Sequence, residues 1–265
     1  MYPRYIEPGF KPYNPVELAF KTEKIVTREG EEGQERKYTD FYSVPVYRGI
    51  ATGYAVGCCL RCFYCWSGFS RDFPEKYGEF YSPRAAFVNL VKAAREGIKY
   101  GKPYWRLLVI NKVRISGCEP TIGRRHLLKL LEYVETSDFK LFILETNGIL
   151  IGWDKTYAKE ISKFSKVHVR VSIKAGTPEG FTWRTGALGE FYDFPFKALK
   201  HLLDYGVSCH AAAMTDPRIM SREERAKILK KLAEIDKTLA AGLEEEVIDP
   251  YETTIFRLRK AGLKL

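Results

Sequence analysis

The chain has 265 residues, 45% hydrophobic and 14% aromatic, which suits one large α/β domain or two small ones and excludes a disordered chain. No apolar run approaches ~18 residues, so no membrane span is expected, and the first residues, Met1-Tyr-Pro-Arg-Tyr-Ile-Glu-Pro8, lack the apolar stretch of a signal peptide, which makes the cytoplasm the expected location. The 43 basic and 33 acidic residues give a formal +10, a balance that favours anionic partners such as RNA but also describes a solvated surface with Lys and Arg spread along it.

Residues 1–47 read as an irregular N-terminal extension, because prolines at positions 3, 8, 12 and 15 oppose a long helix. The polar run Arg28–Lys37 reads as an exposed loop or hairpin tip between two short strands, Lys24–Thr27 and Tyr38–Val44. A strand over Ile50–Val56 leads directly into a cysteine-rich loop. Ser82-Pro83 opens a helix with Ala86, Phe87, Leu90, Val91 and Ala94 at helical spacing. The next strand lies within Leu107–Ser116 and ends at Gly117, and a helix follows from about Gly123 to Glu135. Leu141–Glu145 is a third strand, and a helix lies between Lys155 and Phe164. Val167–Lys174 alternates, with Val167, Val169, Val171 and Ile173 on one face. A helix over Pro195–Tyr205 closed by Gly206, and a fifth strand over Val207–Met214, come next. Ser221-Arg-Glu-Glu224 is a capping box opening a helix to about Ile235. A sixth strand within Leu243–Ile248 and a terminal helix over Thr253–Ala261 complete the chain.

Six strands, the first five each followed by a helix, imply a parallel sheet built by right-handed crossovers, either an open partial barrel or a doubly wound sheet. In both, ligands bind beyond the carboxyl ends of the strands. The segments that carry chemistry fall there. Gly57–Trp66 holds four of the six cysteines, with Cys58, Cys62 and Cys65 spaced C-x3-C-x2-C. Three soft thiolates suit an iron–sulfur cluster. Gly117-Cys118-Glu119-Pro120, Thr146-Asn147-Gly148 and Lys174-Ala175-Gly176 follow the second, third and fourth strands. Taken alone the loop leaves alternatives open. Cys59-x2-Cys62-x2-Cys65 has a ferredoxin's spacing, and a structural zinc site is also compatible, although each needs a fourth ligand that does not follow nearby.

With those strand ends in place, residues 50–249 resemble the radical S-adenosylmethionine (SAM) superfamily. The resemblance rests on Cys58-x3-Cys62-x2-Cys65 with Tyr64 at the aromatic position, Ser116-Gly-Cys-Glu-Pro120, and Glu145-Thr-Asn-Gly148. It implies an α/β fold, a partial (β/α)6 TIM-type barrel over residues 48–249, between the N-terminal extension and a C-terminal helix in 250–265. It also implies a [4Fe–4S] cluster held by Cys58, Cys62 and Cys65, and SAM bound at the open iron. Reductive cleavage then yields a 5′-deoxyadenosyl radical that takes hydrogen from a substrate. Carried over by position, Tyr64 lies near the adenine, and Gly117, Cys118 and Glu119 stand where the family has Gly-Gly-Glu, Cys118 being the departure. Glu119 meets the SAM ammonium; Glu145, Thr146 and Asn147 approach its amino acid and ribose; Ser172 and Lys174 approach its carboxylate; and Met214 flanks the adenine. The likeness is greatest to the glycyl-radical-activating branch and small archaeal relatives, because a lysine followed by a Thr-Gly pair occurs in Lys174–Ala187. That branch implies a protein substrate and an external one-electron donor of ferredoxin or flavodoxin type. Modification of RNA and electron transfer without SAM chemistry are the alternative readings.

The remaining candidates have plainer readings. Cys59 reads as packed, Cys118 as a small residue beside a ligand, and Cys209 as core. His126 and His201 fall on helices among Lys and Arg and read as solvated; His168 lies opposite an apolar strand face, and His210 near the end of the fifth strand. Trp66, Trp183 and Arg184 are placed in loops beside the site. Four asparagines and one glutamine, against many Lys, Glu and Arg, suggest a thermophilic source.

Overall fold

The computed structural model describes residues 2–264; Met1 and Leu265, the outer ends of the expected extension and C-terminal segment, lie outside the described residues. The extension is not irregular. Helix α1 (Pro15–Val26) starts at the last of the four prolines, and the Asn14 side chain caps it by accepting from the amides of Val16 and Glu17. Proline costs a helix nothing at this position, where its missing N–H has no intrahelical partner. Lys24–Val26 therefore end a helix and do not form a strand. Strands β1 (Thr27–Gly30) and β2 (Gly33–Val44) pair antiparallel, so the polar run 28–37 is mostly ladder, with Glu31 and Glu32 at its tip. Within it Arg36 is buried and its Nε donates to the Ile122 carbonyl at 2.8 Å.

Strand β3 (Ile50–Ala55) enters the cysteine loop, and β4 (Glu79–Tyr81) and α2 (Pro83–Glu96) follow it. Then come β5 (Lys112–Ser116), α3 (Arg124–Glu135), β6 (Leu141–Thr146), α4 (Ile149–Trp153) and α5 (Lys155–Ile161). The second half is β7 (Val167–Ile173), α6 (Pro178–Thr185), α7 (Phe194–Asp204), β8 (Ser208–Met214), α8 (Arg222–Ile235), α9 (Lys237–Ala241), β9 (Glu244–Glu246) and α10 (Glu252–Lys260). The short α4 and α6 were not legible in the sequence.

The six strands β3, β5, β6, β7, β8 and β9 are all parallel and neighbour one another in chain order. The hairpin strand β2 adds antiparallel to β3 and carries β1 and β4. The sheet does not close, ending on β1 and β9, so the fold is the open partial barrel. Val167, Val169, Val171 and Ile173 join Leu130, Leu131, Leu199 and Leu202 in the core between sheet and helices. Burying that face turns His168, Arg170 and Ser172 to the opposite side of β7, into the barrel. Among the described residues no helix is long and apolar enough to cross a membrane.

His126 corrects the sequence reading: it is 2% exposed. Its Nε2 lies 2.8 Å from the Tyr38 hydroxyl and its Nδ1 2.9 Å from the Gln34 carbonyl, so the hairpin, and not solvent, faces this side of α3. His201 is half-buried, with Nδ1 3.0 Å from the Ile151 carbonyl. Burial pushes the His126 imidazole down to about 3. The folded value lies below the unfolded one, so the unfolded chain takes up the extra proton first, and stability falls as pH drops from about 6.5 towards the folded value. Urea unfolding at pH 7 and pH 5 is expected to show a loss in the wild type exceeding that of His126→Gln by up to about 1 kcal/mol per pH unit. Equal losses in the two proteins would contradict a buried neutral imidazole.

Candidate active site

The cysteine loop has no ladder of its own, and its backbone is held from outside. It leaves β3 at Gly57, whose φ of 84° and close approach to α1 both require glycine: a Cβ there would sit 2.6 Å from Thr22 Cγ2. The Gly57 carbonyl accepts from the Glu119 amide at 3.1 Å, joining the loop to the turn after β5. Three buried arginines donate to the loop's carbonyls. Arg61 Nη1 reaches those of Cys58 and Leu60, both at 2.8 Å. Arg71 Nη1 reaches Cys62 at 2.7 Å, and Arg257, from α10, reaches Cys65 at 2.6 Å and Gly68 at 3.0 Å. Asp72 pairs with both Arg71 and Arg257 at 2.5 Å.

On the other side, the Arg61 and Phe63 amides donate to the carbonyls of Thr185 and Arg184. Trp183 and Arg184 are thus on helix α6, not in a loop. Thr177 caps that helix and Phe181 is its main apolar anchor, too little pattern to reveal it. Glu224 does not complete a capping box. Its amide donates to Ser221 Oγ, but its carboxylate binds Arg184 at 2.7 Å and the Gly176 amide at 2.8 Å. Trp183 meets Phe63 edge-on at 4.9 Å.

The thiols are free and electrostatically distinct. A hydrogen bond from Cys59 holds Cys58 down at about 7, aided by the Leu60 amide, which donates to its sulfur at 3.4 Å, and by Arg61. Cys59 is raised well above the ordinary thiol value by the same bond and by burial. Burial also pushes Cys62 up to about 11 and Cys118 to about 12. Asn147 Nδ2 lies 3.7 Å from Cys58 Sγ and 3.3 Å from Cys59 Sγ.

A cleft of about 220 Å³ opens at the carboxyl ends of the strands. Cys58, Cys62, Tyr64 and Cys65 form one wall. Gly117, Cys118 and Glu119 follow from β5, Glu145, Thr146 and Asn147 from β6, Ser172 and Lys174 from β7, and Met214 from β8. All the residues singled out in the sequence for cluster and SAM therefore line one cavity. Cys59 is buried behind it, and Cys209 packs against the core at the edge of β8.

Glu119 is the joint between two strand ends. Its Oε1 accepts from the Thr121 amide (3.1 Å), Thr121 Oγ1 (2.6 Å) and Thr146 Oγ1 (2.7 Å), and its Oε2 from the Asn147 amide (2.8 Å). Gly117, at φ 87°, lets this turn pass 3.2 Å from the Ala55 carbonyl at Cβ range. Glu145 accepts from Arg114 at 2.6 Å and from Ser116 Oγ and Tyr47 Oη, both at 2.8 Å. Lys174 Nζ donates to Ser172 Oγ.

Four charged lining residues escaped the sequence reading: Arg71, Arg170, Glu246 and Asp249. For two of them the signal was present in strand parity. Arg170 shares a face with Ser172, and Glu246 shares one with Glu244 on β9. Arg170 binds Glu244 through two contacts of 2.9 Å and Glu246 at 2.7 Å. Burial works against the Glu246 carboxylate, but Lys174 and Arg170 hold its pKa below the ordinary value. His210 is the third residue of β8, not near its end, and lies away from the cleft. Its Nδ1 is 2.7 Å from His168 Nε2 and its Nε2 3.0 Å from Glu244.

The donor set fits an iron–sulfur cluster and a polar cofactor. Three soft sulfurs face the cleft, that of Cys58 with its pKa lowered by its hydrogen bonds, and a cluster takes its ligands on separate irons. The buried Tyr64 hydroxyl has no hydrogen-bond partner among the described residues.

Comparison with known proteins agrees. The family model of the radical SAM superfamily matches residues 54–232. A probable GTP 3′,8-cyclase of Methanococcus vannielii is 28% identical over 129 residues, covering 49% of this chain and 37% of that protein. The matched stretch thus spans well under half of that relative's length. Among solved structures, Streptococcus suis SuiB bound to its precursor peptide SuiA superposes with a TM-score of 0.54 at 17% identity, over 80% of this chain and 38% of SuiB. The enzyme anSMEcpe with bound AdoMet gives 0.52 at 19% identity, over 77% and 55% of the two chains. TYW1 with a lysine–pyruvate adduct gives 0.52 at 17%, over 75% and 64%. At these identities the structural likeness speaks to fold. The family match covers most of the chain, and with the cysteine loop and strand ends gathered in one cleft it shows that the protein belongs to the radical SAM superfamily, enzymes that bind a [4Fe–4S] cluster and SAM.

Proposed function

We propose that Cys58, Cys62 and Cys65 hold the cluster, that the ends of β5, β6 and β7 hold SAM, and that the substrate is a polypeptide. The observation that carries the reading is the convergence of all these residues on one cleft. When bound, the cluster and SAM supply a 5′-deoxyadenosyl radical after reduction by a one-electron donor, for which we propose a ferredoxin or flavodoxin. The protein's own residues bind, orient and exclude water. Glu119 Oε2 keeps acceptor capacity for the SAM ammonium, while Oε1 braces Thr146. Lys174 is the cation suited to the SAM carboxylate, and Asn147, Ser172 and Glu145 supply polar contacts to its amino acid and ribose. Tyr64 and Met214 flank the adenine, and Gly117 and Cys118 let the backbone approach. Cys59, held as a thiol, is not a ligand.

Activating-enzyme chemistry on a protein glycine suits the mouth of the cleft, where Trp66 is 44% and Val247 63% exposed, apolar surface fit for a peptide chain. SuiB, of the same fold, binds a precursor peptide. RNA is the alternative that the +10 charge favours. We further propose that residues 48–249 are the catalytic core and that 1–47 and 250–265 serve as clamps on its cysteine loop, in a cytoplasmic protein of thermophilic, archaeal type.

Anaerobically reconstituted and reduced protein is expected to convert SAM to 5′-deoxyadenosine. Cys62→Ala should abolish this and Cys59→Ala should retain it; undiminished turnover in Cys62→Ala would refute the ligand assignment. Glu119→Gln replaces an acceptor by a donor against satisfied partners, which typically costs ~1–3 kcal/mol. Denaturant titration should show that loss in the apoprotein, together with weaker SAM binding, and an unaltered apoprotein would remove Glu119 as a joint. For the substrate, deuterium from a glycine-labelled polypeptide should appear in 5′-deoxyadenosine. Transfer from RNA instead, with affinity falling steeply in salt, would favour the alternative.

A further inference from the structure

The arginines around the cysteine loop present a charge problem. Arg61, Arg71 and Arg257 are all almost wholly buried, and Asp72 is the carboxylate paired with two of them. Arg61 is 0% exposed and among the described residues pairs with no carboxylate. Its contacts are the carbonyls of Pro3, Cys58 and Leu60 and the face of the Tyr2 ring at 5.0 Å, and its Nη2 has no hydrogen-bond partner among the described residues. Glu119, the buried carboxylate on the facing wall, has Arg36 beside it, donating to its main-chain carbonyl. A buried cation without a counter-charge is strongly unfavourable, so it implies an anion that the carboxylates of the described residues do not supply.

We infer that Arg61, with Arg71 and Arg257, is the counter-charge of the cluster and favours its reduced state. The inference rests on the ligand reading above. Three thiolates outweigh the charge of an oxidised four-iron core, so the group behind the loop is anionic and gains a further negative charge when the donor's electron arrives. Fixed cations buried beside the loop, held on its carbonyls, favour the more negative state without reorganising. Cluster potentials respond to net charge and to hydrogen bonds at the sulfurs. Both are present: the guanidinium groups hold the carbonyls of residues 58, 60, 62 and 65, and the Leu60 amide is left facing Cys58 Sγ at 3.4 Å. The arginines are positioning residues: Arg61 and Arg257 lie outside the cleft lining, and the role assigned to all three is electrostatic.

The test is an equilibrium redox titration of the reconstituted protein, following the paramagnetic reduced cluster. Arg61→Gln keeps a donor for the carbonyls and removes the charge; its midpoint potential is expected to shift to more negative values. Arg61→Lys keeps the charge and should stay near the wild type. A purely structural role would lower stability or cluster occupancy in both variants and leave the potential of the loaded fraction unmoved, which would overturn the inference. Should Arg61→Gln not load, Arg257→Gln, which leaves Arg71 on Asp72, carries the same test with the same expected shift. A wild-type protein that takes up no cluster, or a Cys62→Ala variant that loads fully, would instead overturn the ligand reading. An intact cluster with an unmoved potential overturns the charge inference alone.

Discussion

Guanidinium groups buried against the carbonyls of the cysteine loop are the constraint on which this site depends. Backbone polar groups removed from water must find partners, and a loop that presents its thiols to a cavity cannot satisfy its carbonyls by sheet or helix. Here the partners arrive from both ends of the chain. Arg257 reaches the carbonyls of Cys65 and Gly68 from α10, and Pro3 and Tyr2 close over Arg61 from the other terminus. The terminal segments thereby become part of the site's construction. Removing one partner of such a buried ionic network typically costs ~3–5 kcal/mol, because the others are left uncompensated.

The inner face of the barrel follows the same logic in a different place. A closed eight-stranded barrel fills its interior with layers of branched apolar side chains. This open six-stranded one instead carries Arg114 against Glu145 and Arg170 against Glu244 and Glu246. Arg114 and Glu145 pair across the neighbouring strands β5 and β6, while Arg170 reaches from β7 over β8 to β9, so the floor of the cleft is polar yet balanced. Tyr47 donates to Glu145 from a left-handed backbone at φ 53°, a conformation that side chains rarely adopt outside strained turns. The network fixes the ends of the strands at the height where the cleft begins, and Glu119 then ties two of those ends together.

Much of this was legible in the sequence because it is periodic or local. The six parallel strands follow from alternation and from apolar helical spacing, and the lining residues follow from the rule that loops after parallel strands share one face. The failures have physical causes. Helix α1 was hidden by prolines whose last member sits where a helix accepts it. Helix α6 buries chiefly Phe181, so it offers no stripe. His126 looked exposed because its burial is made by a hairpin distant in sequence. The arginine cage is the extreme case: Arg257 meets Asp72 across 185 residues, a separation at which neither spacing nor composition carries information. Arg170 and Glu246 lie between these limits, since parity gives their face but not their partner.

The cage also changes what net charge means for this protein. Counting 43 basic against 33 acidic side chains treats each as available to a partner in solution. Yet Arg36, Arg61, Arg71, Arg184 and Arg257 are among the largest fully buried side chains. Asp72, shared by Arg71 and Arg257, and Glu224, on Arg184, supply two negative charges to three of them, while Arg36 and Arg61 end on carbonyls. Part of the excess positive charge is therefore interior and directed at the cysteine loop, where it cannot steer a polyanion from solution. The surface is less basic than the composition suggests, which weakens the argument from charge to RNA. On the ligand assignment proposed above, the anion that the buried part of the excess would meet is the cluster that Cys58, Cys62 and Cys65 would hold.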